Sequence, residues 1–134
     1  MSSERVYTRP VIEKLGVGPG MRVALLGVSD ASFLAALAML TDDVTAGEPL
    51  PGTDLVFLNA DSLEELAPLV ELRHSIKPAG AIWVVSRKGK AATLRDVDVI
   101  EAAREARLVD NKVASFSATH TALRLVIPVA LRPR

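Results

Sequence analysis

Apolar residues in this chain fall into short unbroken runs separated by stretches of helical spacing. Arg22 to Val28 encloses the run Val23 to Leu26, and a continuously apolar run predicts a strand covered on both faces. Gly27-Val28-Ser29-Asp30 then punctuates the chain. Phe33, Leu34, Leu37 and Ala38 follow with the stripe of a helix laid on a sheet. Asp54 to Ala60 is a second buried run and Ala81 to Ser86 a third. Between them, Ser62-Leu63-Glu64-Glu65 has capping-box spacing, and Leu66, Leu69, Val70, Arg73 and Ile76 carry a helical pattern onward. Pro68 falls inside that pattern and is expected to kink the helix or divide it in two. Lys77-Pro78-Ala79-Gly80 is expected to end it.

The same reading fills the flanks. Pro10 suits the first turn of a short helix holding Val11, Ile12 and Leu15, and Gly16 suits its C-terminal end. Gly18-Pro19-Gly20 is a turn by chemistry. Asp96 or Asp98 caps a helix with Val97, Ile100, Ala103 and Leu108. Two strands follow, Asn111 to Ala118 and Thr121 to Pro128, and the short Thr119-His120 connection implies an antiparallel hairpin. Thr41 to Thr53 breaks the rhythm with Asp42, Asp43, Gly47, Pro49, Pro51 and Gly52. Only Val44 suggests a short edge strand there, and no helix fits. Alternation of strand and helix demands a mostly parallel sheet with right-handed crossovers, closed by the hairpin. Residues 1–134 are expected to form a single domain, with Met1 to Arg9 loosely held.

Composition narrows the function classes. Hydrophobic residues make up 49% of 134, enough for a core without staples. Sixteen basic and sixteen acidic residues give a formal net charge of zero, which removes the electrostatic case for nucleic acid or a membrane surface. There is no cysteine, so disulfides and thiolate metal sites are excluded. No apolar run approaches the ~20 residues of a membrane span, and the opening MSSERVYTRP has no signal-like apolar core. A cytoplasmic protein is the expectation.

LGVGPGMRVALLG (Leu15 to Gly27), KPAGAIWVVS (Lys77 to Ser86) and the closing hairpin together resemble the AdoMet-dependent methyltransferases. From Tyr7 onward, through VIEKLGVGPGMRVALL, DLVFL, KPAGAIWV and the hairpin, the chain resembles a family of small uncharacterised bacterial proteins of that kind. The resemblance implies a three-layer, Rossmann-like α/β open sheet of methyltransferase type with an antiparallel C-terminal hairpin, lacking one strand-helix unit. It also implies AdoMet as cofactor, bound at the turn after the first strand, with Tyr7 in a segment covering the pocket. The chain departs from that pattern where it matters. A glycine-rich loop lets backbone approach a ligand closely, yet only Gly27 matches, while Val28 and Ala31 add side chains and Asp30 adds a negative charge. The acidic residue that holds ribose should follow the second strand, and Glu48 is the sole candidate.

Candidate sites follow from these positions, each with a plainer alternative. Gly27, Ser29, Asp30 and Ser32 would contact a cofactor or anion at a helix N-terminus, or Ser29 or Asp30 simply caps the helix. Asn59 and Asp61 follow a buried strand at the ligand-binding edge and are the catalytic candidates, against Asp61 or Ser62 as an N-cap. Arg87, Lys88 and Lys90 would receive an anion or an acidic partner, against a solvated loop. His74 reads as exposed, His120 as a turn residue, and no spacing suggests a metal site. Trp83 reads as core. The expected function is a non-catalytic module binding a small ligand or a protein partner, with a homodimer or larger homo-oligomer paired through the edge left by the short Asp42–Thr53 region. The alternatives are an AdoMet-dependent methyltransferase with an unorthodox site, and a nucleotide- or phosphate-binding protein.

Overall fold

The computed structural model describes residues 10–133, so Tyr7 and the Met1 to Arg9 segment lie outside the described residues. Among the described residues, four α-helices and six strands follow in the order α1 (Val11–Lys14), β1 (Val23–Leu26), α2 (Ala31–Ala38), β2 (Val44–Ala46), β3 (Thr53–Asn59), α3 (Leu69–Leu72), β4 (Ile76–Arg87), α4 (Asp96–Glu105), β5 (Val109–Ser115) and β6 (His120–Val126). The strands form one sheet in the order β2-β1-β3-β4-β6-β5. β2, β1, β3 and β4 run parallel, and β6 is antiparallel to both β4 and β5. This is the Rossmann-like methyltransferase sheet, one edge short.

Two cores lie on opposite faces, because successive side chains of a strand alternate. Ala24, Val56, Leu58, Ile82 and Val84 face α4 and the Leu66–Leu72 segment. Val23, Leu25, Phe57, Trp83 and Val85 face α2 and the turn after α1. Trp83 is fully buried, and its indole N–H donates to the Leu15 carbonyl at 3.0 Å. That bond fastens the chain ahead of β1 to the middle of β4.

Of the two outcomes expected at Pro68, the structure shows division: a 3-10 turn at Glu64–Leu66 precedes α3. Two other expectations are revised. Lys77 to Gly80 does not end that segment in a loop but lies within β4, where pairing with β3 jumps from Thr53↔Ile76 to Leu55↔Ala81. A bulge of this kind absorbs the extra residues without breaking the strand. The closing connection is longer than Thr119-His120. The Ser117 hydroxyl accepts the Thr119 and His120 N–H groups, at 3.3 and 3.1 Å, which leaves His120 as the first residue of β6.

The missing strand-helix unit is replaced by loop. Residues 47–52 cross from β2 to β3, and Arg22 holds them from behind: Nη1 donates to the Pro51 carbonyl at 2.8 Å and Nε pairs with Asp43 at 3.1 Å. Thr53 closes the crossing by donating to the Leu50 carbonyl at 2.6 Å. Among the described residues, no helix is long and apolar enough to cross a membrane.

Candidate functional site

In open α/β sheets, ligands collect beyond the C-terminal ends of the parallel strands, where loops diverge to opposite faces. β1 ends there at Gly27, whose φ of +79° is a left-handed conformation that costs glycine nothing and other residues about a kcal/mol or more. That turn delivers Asp30 to the N-cap of α2, where Oδ1 accepts the Phe33 N–H at 2.9 Å. Of the two residues able to cap, Asp30 does so.

The turn forms one side of a cavity of about 270 Å³. Gly27 to Asp30, Asn59 at the end of β3 and Asp61 just after it, Arg87 at the end of β4, and Phe116, Thr119 and His120 of the hairpin line it. A second cavity, of about 390 Å³, adjoins the first and shares Asp30 and Phe116 as a common wall. Its remaining lining is mostly apolar, from Val11, Ile12, Phe33 and Ala36.

Asp61 is engaged through both its backbone and its side chain. Its Oδ1 accepts the Arg87 backbone N–H at 2.8 Å, and Oδ2 stands 3.9 Å from the Arg87 guanidinium Nε. Its carbonyl accepts the Thr93 hydroxyl at 2.6 Å, and its N–H donates to Glu65 at 2.7 Å. Ser62 supplies the cap by accepting the Glu65 N–H. The arrangement makes Asp61 the clasp between the ends of β3 and β4. Asn59 keeps a half-exposed place on the cavity wall, with its Cβ 3.4 Å from where a Cβ on Gly27 would lie.

The other proposed positions separate. Ser32, two residues past Asp30, faces the second cavity, because each helical residue rotates about 100° from the last. Of the three cations, only Arg87 lines the first cavity. Lys88 turns outward to donate to Ser115 Oγ at 2.9 Å, and Lys90 sits exposed in the short turn Gly89–Ala91. Glu48 is exposed on the β2–β3 crossing and lines neither cavity. His74 is exposed. Among the described residues, no group of three or more His, Cys, Asp or Glu could hold a metal ion.

His120, which the sequence offers as a base or, more simply, a turn residue, is instead the first residue of β6 and lines the cavity. Antiparallel register places it directly opposite Arg87, and both line the cavity. Its Nδ1 lies 2.7 Å from Thr119 Oγ1. The polar run Ser117 to His120 ahead of an apolar strand was the available signal. Without the register, nothing tied that run to β4.

The chain matches no protein-family model, and no curated protein matches its sequence. Solved structures do match in fold. A SAM-dependent methyltransferase from Aquifex aeolicus superposes with a TM-score of 0.64 at 15% identity, over 87% of each chain. A Haloferax volcanii complex of the Trm112 methyltransferase activator matches with a TM-score of 0.63 at 13% identity, over 88% of this chain and 86% of that one. The mitomycin 7-O-methyltransferase matches with a TM-score of 0.61 at 9% identity, over 81% of this chain. Here the chain spans about half the length of its counterpart, 49%. Likeness at these identities establishes the fold.

Proposed function

We propose that the chain is a small-molecule-binding module on a methyltransferase fold, and that it binds without transferring a methyl group. The supporting observation is where the cavity lies. It opens on the β3, β4 and β6 side of β1, and no residue of β2 or of the 47–52 crossing lines it. A nucleoside cofactor needs a wall on the other side of β1 with an acidic residue for the ribose, as the resemblance implies. Here that side is a strand of three residues followed by a loop, and Glu48 is exposed on it. In each of the two carboxylates in the cavity, Asp30 and Asp61, one oxygen accepts a backbone N–H, from Phe33 and Arg87. On this reading both serve as supports for the wall. The test is a thermal-shift panel of small metabolites against the whole chain. A ligand at 100 times its Kd adds about 2.7 kcal/mol. The reading expects stabilisation by at least one small molecule of the panel, abolished by Gly27→Val. A panel with no stabilising member would overturn it.

A second reading, AdoMet-dependent methyl transfer, draws support from methyltransferase folds of matching size, such as the Aquifex chain covered over 87% of its length. It would use Gly27, Ser29 and Asp30 toward the cofactor and Asn59 near the methyl group. Structures of this fold have been solved with S-adenosylhomocysteine and a naphthoic acid, or with the Trm112 activator, and so bear on both cofactor and protein partners. AdoMet and AdoHcy therefore belong in the same panel. Pairing of two chains through β2 is a separate proposal. A single monomeric species across micromolar concentrations in sedimentation would exclude it.

A further inference from the structure

Taking the cleft as a small-molecule site, we infer that its ligand is a singly charged organic acid. Its carboxylate sits between Arg87 and His120, and its flat apolar body crosses Phe116 into the second cavity. Arg87 and His120 are directly opposed on antiparallel β4 and β6, so their side chains leave the same face with Cβ atoms about 4.5–5.5 Å apart. The guanidinium makes no hydrogen bond among the described residues. Asp61 Oδ2, at 3.9 Å, is beyond hydrogen-bond reach, and Oδ1 is taken by the Arg87 backbone N–H. Asp61 therefore steadies the charge of Arg87 and leaves its planar fork of donors unused, a fork whose geometry matches a carboxylate. His120 has Nδ1 engaged by Thr119, which leaves Nε2 as the ring's remaining polar atom.

The charge of the ligand follows from the other lining groups. Asp30 and Asp61 stand in the same cavity as Arg87 and His120. Two carboxylates against one fixed cation leave the cavity short of positive charge, so a phosphate dianion is opposed more than a monoanion, whose single carboxylate the Arg87 fork can match. Its apolar body follows from the adjoining space. Val11, Ile12, Phe33 and Ala36 line a cavity larger than the polar one, and Phe116 belongs to both. Phe33 and Phe116 stand with ring centroids 4.9 Å apart, which gives that wall an aromatic surface suited to a flat ring.

The experiment is titration calorimetry on the whole chain with four probes: 2-naphthoate, benzoate, the neutral 2-naphthamide, and inorganic phosphate. 2-Naphthoate should bind at least about tenfold more tightly than 2-naphthamide or phosphate, and more tightly than benzoate, a difference of about 1.4 kcal/mol per tenfold. Arg87→Gln should remove the preference for acid over amide, with the melting temperature within about 2 °C of the parent because the guanidinium makes no hydrogen bond and only a 3.9 Å ion pair with Asp61. Arg87→Lys, which keeps the charge but not the fork, should fall between. Ala36→Phe should abolish the gain of naphthoate over benzoate while benzoate binding persists. Equal binding of amide and acid would overturn the inference and leave the cleft as a neutral small-molecule site. Tighter phosphate, or unchanged naphthoate binding in Arg87→Gln, would also overturn it. A chain that binds neither these probes nor anything in the metabolite panel would sink the proposed function as well.

Discussion

Replacing Asp61 separates a structural carboxylate from a catalytic one. In Asp61→Ala the Arg87 N–H at the end of β4 loses an acceptor 2.8 Å away, and the guanidinium loses a carboxylate oxygen 3.9 Å away. A hydrogen bond to a charged group contributes about 1.5–3 kcal/mol. The freed N–H belongs to an exposed residue and regains water, so the lower end applies, about 1.5 kcal/mol. For a domain of this size that is a fall in melting temperature of about 4–8 °C. Asp61→Asn keeps an oxygen for the N–H and gives up only the charge, so it should lose about 0.5 kcal/mol, near 2 °C. Differential scanning calorimetry at neutral pH measures both. An Asn variant as unstable as the Ala variant would show that charge, not the acceptor, matters. An Ala variant within about 1 °C of the parent would remove Asp61 as the clasp of the site.

Three further substitutions probe the frame. Trp83→Phe leaves the Leu15 carbonyl unpaired in a fully buried place and opens a void; urea unfolding should show a loss of about 2–4 kcal/mol, and a loss under about 1 would contradict the docking of that turn. Gly80→Ala sets a Cβ 2.8 Å from the Asp54 carbonyl oxygen and 3.1 Å from that of Lys77, both backbone. The bulge must shift, at about 1–3 kcal/mol, and an unchanged urea midpoint would refute the close approach. Burial pushes the Asp54 carboxyl up, but the Arg22 N–H and the Lys77 ammonium outweigh it and hold it below its ordinary 3.8. A folded value below the unfolded one means that Asp54 adds stability above that range and loses it as pH falls through the folded value. Asp54→Asn should therefore narrow the stability difference between about pH 6 and about pH 3, and an unchanged acid limb would refute the assignment.

Much of this frame can be read from the chain because it depends on local pattern. The runs Val23–Leu26, Asp54–Ala60 and Ala81–Ser86 announce buried parallel strands, and Asp42–Thr53 has no room for a further helix. Both are found. Elements whose form depends on a distant partner were less legible. Lys77-Pro78-Ala79-Gly80 has the chemistry of a loop, and only its pairing beside β3 makes it a bulged strand. The site divides in the same way. Gly27 and Asp30 announce themselves through turn and cap chemistry, which is local. The meeting of Arg87 with His120 depends on the register of an antiparallel pair thirty-three positions apart in number, and no local signal encodes it. Lys88 and Lys90 read as partners of Arg87 because they are neighbours in sequence. Strand geometry sends Lys88 to Ser115 instead.

The central claim is that the cavity at the β1 turn holds a small-molecule ligand other than a methyl donor. Titration calorimetry with AdoMet and AdoHcy on the whole chain tests it most directly. The account predicts no binding heat up to about millimolar ligand, weaker than about −4 kcal/mol. Binding of either molecule at about 100 μM or tighter, about −5.5 kcal/mol, lost in Gly27→Val, would contradict it.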